Sequence, residues 1–198
     1  MALIFFIKSA TVDISKYNIK DIPGSSGRFD VISRCILSAL LNGTNLEENI
    51  QIWIFLDNYG TYVFDSNCFN NKHFPKNEIL LTDSFVKLIR SKSKKVYTLP
   101  FGSIKCVKLS IIDAVEDFVN KNYKTYVLNE NGIDFLKEFQ KLRAEDDLLF
   151  IVGDQSGDIL NSKELKKLKL TNLSLGNNRS YLASSVIRLI KMNLQLLI

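Results

Sequence analysis

The sequence is poor in the patterns that build metal sites, disulfide frameworks and membrane spans. Its three cysteines, Cys35, Cys68 and Cys106, are odd in number, widely spaced and without a Cys-x-x-Cys pair. Neither a zinc site nor a disulfide scaffold is expected, and a reducing, cytoplasmic setting fits best. The sole histidine is His73; a hydrolase triad built on it would need a Ser and an Asp that no motif supplies, so a surface loop is its expected place. No apolar run approaches the length that spans a bilayer. The run Ala2 to Ile7 is too short for the apolar region of a secretory signal and lacks a cleavage pattern, so a soluble protein is expected. No low-complexity tract, internal repeat or compositional break divides residues 1–198, which predicts a single domain.

What is present suits a packed globular chain. Hydrophobic residues make up 46% and charged residues 24%, enough apolar mass for a real core. The 26 basic against 21 acidic side chains give a net charge of +5. That balance leans towards a polyanionic partner without requiring one.

Hydrophobic patterning predicts a series of alternating elements. Ala2–Ile7, Gln51–Leu56, Tyr123–Leu128, Leu148–Val152 and Lys169–Leu173 read as strands, and Tyr62–Phe64 as an edge strand. Val31 to Leu40 carries apolar residues at helical spacing, with Asn42-Gly43 as its stop. Ile79–Ile89 reads as a helix, and Ser103 as the cap of an amphipathic helix with Val107, Ile111, Val115 and Phe118 on one face. Asn129 to Gly132 is read as a turn, Ile133–Leu142 and Ser162–Lys167 as short helices, and Arg179 to about Leu197 as a long closing helix. Strands alternating with helices predict an α/β fold: a mostly parallel sheet with helices on both faces.

Two stretches near the end carry the chemistry. Phe150-Ile151-Val152 stops at Gly153-Asp154-Gln155-Ser156-Gly157, and Leu173-Ser174-Leu175 stops at Gly176, followed by Asn177 to Val186. Each reads as a buried strand that delivers a glycine turn at its carboxyl end, where ligands sit in open α/β sheets. Glycine there lets backbone groups approach a flat nucleoside with no Cβ in the way. Near the beginning, Pro23-Gly24-Ser25-Ser26-Gly27-Arg28-Phe29-Asp30 is a loop that feeds a helix amino terminus, a place that favours an anion or carboxylate. Basic runs at Arg90, Lys92, Lys94 and Lys95 and at Lys163, Lys166 and Lys167 suit either phosphate contact or a solvated face.

The Phe150–Gly157 and Leu173–Val186 blocks resemble the last two motifs of the SPOUT methyltransferases. With Pro23 to Asp30 and Tyr126-Val127-Leu128-Asn129-Glu130-Asn131-Gly132, the chain resembles the archaeal tRNA (pseudouridine, N1) methyltransferases. The resemblance runs from the first strand to the last helix and is weakest between Asp57 and Ser103. It implies a SPOUT fold with a C-terminal trefoil knot over about residues 123–198, an exception to the rule against threading. It also implies S-adenosyl-L-methionine as methyl donor, tRNA as substrate and a homodimer that packs through the last helix. After Leu175, however, the family usually shows Ser-Pro and later His and Cys. Here stand Gly176-Asn177-Asn178-Arg179, with Tyr181 where His is expected and Ser185 where Cys is expected.

Under this resemblance the expected cofactor-binding residues are Leu128, Gly153, Leu173, Leu175, Gly176, Asn177, Asn178, Arg179, Ser180 and Ser185. Asp30 is the candidate for the base, or for orienting it, at the N1–H of pseudouridine. Arg28 is the candidate for holding a phosphate or the charge that grows on the ring carbonyls. Arg28, Arg34, Lys94 and Lys95 are the expected RNA contacts. Structural roles compete with these: Asp30 as a helix-stabilising carboxylate, Arg28 as a surface ion pair, and the three turns as ordinary tight turns. Three other activities stand beside the tRNA reading. They are a ribosomal-RNA pseudouridine N1-methyltransferase, a knotted RNA-binding module without catalysis, and an α/β protein that binds a small-molecule nucleotide.

Overall fold

The computed structural model describes residues 1–91, 96–153, 158–176 and 180–195, with residues 96–98 and 158 described as backbone only. In chain order the elements are β1 (Leu3–Ser9), α1 (Ile22–Ser25), α2 (Phe29–Leu40), β2 (Leu41–Asn42), β3 (Asn45–Leu46), β4 (Ile50–Leu56), β5 (Gly60–Asp65), α3 (Glu78–Arg90), β6 (Val96–Leu99), β7 (Gly102–Val107), α4 (Ile111–Asn120), β8 (Lys124–Asp134), α5 (Phe135–Phe139), β9 (Leu148–Val152), α6 (Asp158–Asn161), α7 (Lys163–Lys167), β10 (Thr171–Ser174) and α8 (Ala183–Leu194). One eight-stranded sheet runs in the order β10-β8-β9-β1-β4-β5-β7-β6. Its β10-to-β4 half is parallel and its β4-to-β6 half antiparallel.

The continuous apolar run of β1 follows from its place in the middle of the sheet, covered on both faces. Leu3, Phe5 and Ile7 point into one core with Phe29, Ile36, Phe85, Phe150, Ile187 and Ile190, beneath α2, α3 and α8. Ile4 and Phe6 point into the other with Val115, Phe118, Ile151, Ile159 and Leu165, beneath α4, α6 and α7. Aromatic rings bind each layer. Phe150 stacks between Phe5 and Tyr126 at centroid distances of 5.9 and 5.5 Å, and Phe6 meets Phe118 edge-on at 5.5 Å.

Five expectations are corrected. Tyr62–Phe64 is not at an edge: β5 pairs with β4 on one side and β7 on the other. Ser103 caps no helix, because it lies in β7, where pairing with β5 and β6 overrides the helical spacing of Val107 with Ile111. The cap is Ser110, whose hydroxyl accepts from the Asp113 amide at 3.2 Å while the Asp113 carboxylate accepts from the Ser110 amide at 3.3 Å. Asn42-Gly43 does not cap α2; that helix ends at Leu40, and Gly43 turns the small β2–β3 hairpin instead. The closing helix begins at Ala183 rather than Arg179, because Leu182 is its cap residue. The expected turn at Asn129–Gly132 lies inside β8 as an excursion. Val127 pairs with Asn172 and Ile133 with Leu173, so the five residues between them loop out of the ladder.

Candidate active site

Three chain bends converge at the carboxyl ends of the parallel strands. The excursion of β8 supplies Leu128, Asn129, Glu130 and Asn131, the end of β9 supplies Val152 and Gly153, and the end of β10 supplies Leu173, Ser174 and Leu175. Ser180, Tyr181, Ala183 and Val186, at the entry to α8, close the cleft, which encloses about 240 Å³. The excursion is held in shape locally: the Asn131 amide donates to Asn129 Oδ1 at 3.0 Å, an Asx turn. Gly132 makes the re-entry possible. A Cβ there would lie 2.6 Å from backbone atoms of Asn172 and Leu173.

A second cleft of about 470 Å³ adjoins the first. It is lined by Lys8 and Ser9 at the end of β1 and Thr11 just after it, by Arg28, Val31 and Cys35 at and within α2, by Leu182, and by residues of the first cleft. Glu130, Gly153, Leu160, Ser180, Tyr181 and Ala183 belong to both. Two loops form the far wall of this second cleft as a unit. The Thr11 hydroxyl donates to the Gly27 carbonyl at 3.0 Å, and a Cβ on Gly27, whose φ is +59°, would sit 1.8 Å from the Thr11 carbonyl oxygen. Only glycine fits that left-handed, close approach.

Arg28 follows in the left-handed conformation as well, at φ 68° and ψ 37°, an uncommon backbone state for a residue with a side chain, and one that clusters at functional sites. Its Nε and Nη2 each donate to an Asp30 carboxylate oxygen at 3.1 Å. Asp30 also takes an ion pair from Arg34 Nη2 and is only 6% exposed. Burial pushes the Asp30 carboxyl up, but the hydrogen bonds and charges of Arg28 and Arg34 outweigh it and leave the group below its usual range. Both carboxylate oxygens are thus engaged by guanidinium groups, a clamp that aims Arg28 at the cleft. Arg34 turns the other way, with Nε 3.4 Å from Glu78 of α3, and is not among the residues lining the second cleft. The helix amino terminus is partly used by the chain itself: the Phe29 amide donates to the Ser26 hydroxyl at 3.1 Å.

Of the expected cofactor residues, Leu128, Gly153, Leu173, Leu175 and Ser180 line the first cleft. Gly176 stands just past its rim at φ +111°, and Ser185 lies in the first turn of α8 with its amide donating to the Leu182 carbonyl at 2.8 Å. Asn177, Asn178 and Arg179, like Lys92, Lys94, Lys95 and the Asp154–Gly157 stretch, lie outside the described residues. Arg90 is engaged within the fold, donating to the Ile14 carbonyl at 3.0 Å. Lys163, Lys166, Lys167 and His73 are exposed. The residues that sequence reasoning missed are Ser9, Thr11, Glu130 and Tyr181; only the register of β8 and the meeting of two distant loops bring them to the clefts. Cys35 lines the second cleft, but burial pushes its thiol up to about 12, which excludes a thiolate nucleophile near neutral pH.

The first cleft suits a nucleoside cofactor. Leu128, Val152, Leu173 and Val186 give apolar walls, Ser174, Ser180 and Asn129 give hydrogen-bonding groups, and Gly153 brings backbone close. A larger cavity, about 790 Å³, lies elsewhere, between α2, α3 and α8. It has none of these convergent bends, and size alone does not make it the reactive site. Among the described residues no group of three metal-ligating side chains gathers, and no helix is long and apolar enough to cross a membrane.

This arrangement of sheet and bends is that of a known class. The structure superposes on Archaeoglobus fulgidus Nep1 bound to S-adenosylhomocysteine with a TM-score of 0.67, at 15% identity, covering 100% of this chain and 99% of that one. The expected α/β, SPOUT-type architecture fits that likeness. The family model described as "Putative SAM-dependent RNA methyltransferase" matches residues 1–196, and the chain belongs to that family. Among curated proteins it is similar to the tRNA (pseudouridine(54)-N(1))-methyltransferases of Thermococcus onnurineus, at 25% identity over 86% of this chain and 85% of the relative, and of Pyrococcus abyssi, at 26% over 93% of each. The Methanococcus maripaludis enzyme of the same name is 27% identical over 86% of this chain and 90% of its own.

Proposed function

We propose that the chain transfers a methyl group from S-adenosyl-L-methionine to N1 of a pseudouridine in the T-loop of tRNA. The observation that carries this reading is the shared wall: a cleft built from glycine-bearing bends opens directly onto a second cleft that presents Arg28. Names of relatives that cover most of the chain point to the same substrate.

The donor supplies an electrophilic methyl; the protein's work is alignment. Leu128, Gly153, Leu173, Leu175 and Ser180 hold the cofactor; Gly176, Asn177, Asn178, Arg179 and Ser185 are its further contacts in this reading. Arg28 holds the target's phosphate or the charge that develops on the ring carbonyls, and Asp30 positions Arg28. Lys94 and Lys95 extend the contact with RNA through charge, whereas Arg34, also expected there, is engaged by Asp30 and Glu78.

We further read the region of about 123–198 as a trefoil knot within one domain. Support comes from topology: β10 lies at the sheet edge, yet α8 returns to pack on α2, where Arg188 Nε donates to Ser38 Oγ at 3.1 Å. We read the protein as a homodimer. Met192 of α8, 63% exposed, lines the large cavity together with Ile79 and Leu37, an apolar patch suited to a second copy. Free cysteines and a tRNA substrate agree with action in the cytoplasm.

The test pairs calorimetric titration of S-adenosylhomocysteine with transfer of labelled methyl to a T-arm hairpin. Saturable cofactor binding and label in the pseudouridine hairpin are expected. Binding of RNA without any binding of cofactor would instead establish a non-catalytic module. Label confined to a ribosomal hairpin would move the substrate.

A further inference from the structure

We propose that the Glu130 carboxylate accepts the N1 proton of the target pseudouridine and, by the same hydrogen bond, distinguishes pseudouridine from uridine. The inference rests on the functional reading above and adds a residue to it.

Transfer between two ligands in adjoining clefts takes place at the wall they share. Of the six residues on that wall, Glu130 is the one carboxylate among the described residues. Its side chain is exposed and makes no hydrogen bond or ion pair among them. Yet its backbone is fixed by the Asx turn at Asn129 and by the close seat of Gly132 on β10. A free carboxylate on an anchored bend is what a proton acceptor requires: available lone pairs and a fixed place.

The other titratable groups on the two clefts are Lys8, Arg28, Cys35 and Tyr181. Lys8 pairs with Asp57 at 3.2 Å, Arg28 is held by Asp30, the Cys35 thiol is buried and Tyr181 offers a phenol. Asp30, the expected base, has both oxygens bound to guanidinium groups. Among the described residues of the two clefts, Glu130 alone combines a negative charge with vacant acceptor positions.

The balance of the step is simple. N1 takes the methyl as the bond between that methyl and sulfur breaks, with the bonding electrons left on sulfur. The N1 proton passes to a Glu130 oxygen and then to water. In uridine the corresponding ring edge carries C5–H, which offers the carboxylate no comparable donor, so the same contact reads the base before any chemistry occurs.

The experiment uses the full chain and T-arm hairpins that differ only in pseudouridine or uridine at the target position. With S-adenosylhomocysteine bound, the unsubstituted protein should prefer the pseudouridine hairpin on the order of tenfold in fluorescence anisotropy, as for a hydrogen bond to a charged group. Glu130→Ala should abolish the preference. Glu130→Gln should slow single-turnover transfer on the order of 100-fold and make the rate climb steadily with pH. S-adenosylhomocysteine affinity and melting temperature should stay at their unsubstituted values. An unchanged rate or an unchanged preference in these variants overturns the role of Glu130 while leaving the methyltransferase reading intact. A parallel loss of cofactor affinity overturns it too, by making Glu130 a cofactor contact. No transfer by the unsubstituted protein removes both.

Discussion

Arg28 and Asp30 act as one unit. Asp30→Asn removes the buried partner of two guanidinium groups, and we expect turnover to fall on the order of 10- to 100-fold through misplacement of Arg28. Cofactor binding should persist. The shape of the pH–rate profile should also persist, whereas a moved acid limb would make Asp30 itself the proton acceptor. Arg28→Ala should raise the KM for tRNA, and an unchanged rate at limiting tRNA would contradict its role. The same carboxylate gives a stability prediction. Its folded-state pKa lies below the ordinary value of 3.8, so its contribution is complete above that value and is lost as pH falls through the lower, folded one. Acid unfolding should therefore show the stability gap between the unsubstituted protein and Asp30→Asn closing below about pH 4; a gap that stays constant down to pH 2 would contradict the clamp. Arg28 and Asp30 were legible as a pair because they sit two apart in one loop. The ion pair from Arg34 depends on the helix turn that the loop feeds, and it supports a positioning role for Asp30 beside the expected role as base.

At the scale of elements, two features position the clefts. The first is the excursion of β8. Gly132→Ala would drive a Cβ into the backbone of Asn172 and Leu173, which no side-chain rotation relieves. We expect a stability loss of about 1–3 kcal/mol and cofactor binding weakened at least tenfold; calorimetry with wild-type affinity would show that the excursion is not part of the site. The second is the junction of α8 with α2. Lys191, 6% exposed, donates to the carbonyls of Ser38, Ala39 and Leu41 at 3.0, 2.7 and 2.9 Å and pairs with Glu47. It thereby satisfies carbonyls at the end of α2 that the helix leaves open. Burial pushes its pKa down and Glu47 opposes that shift. Lys191→Met leaves Glu47 and the three carbonyls without the ammonium and should cost about 3 kcal/mol, read as a lower urea midpoint at unchanged slope. The parallel strands were readable because burial on both faces writes them as unbroken apolar runs. β7 was not: its residues alternate weakly, and Val107 falls by coincidence on the helical stripe of α4.

At the scale of the whole molecule, the sheet places two adjoining clefts on either side of one short wall, which we propose as cofactor cradle and acceptor cleft. The cradle could be anticipated from glycines that follow apolar runs. The acceptor cleft could not, because Thr11, Arg28 and Tyr181 meet only through tertiary packing, and Glu130 reaches the wall only because β8 slips by five residues against β10. The most direct test of the account is the identity of the product. tRNA that carries pseudouridine in its T-loop but lacks N1 methylation is incubated with the protein and donor, digested to nucleosides and resolved by mass spectrometry. The account predicts one N1-methylpseudouridine per tRNA and no methylated product from the same tRNA with uridine at that position. Methyl on any other nucleoside, or equal methylation of the uridine form, would contradict it.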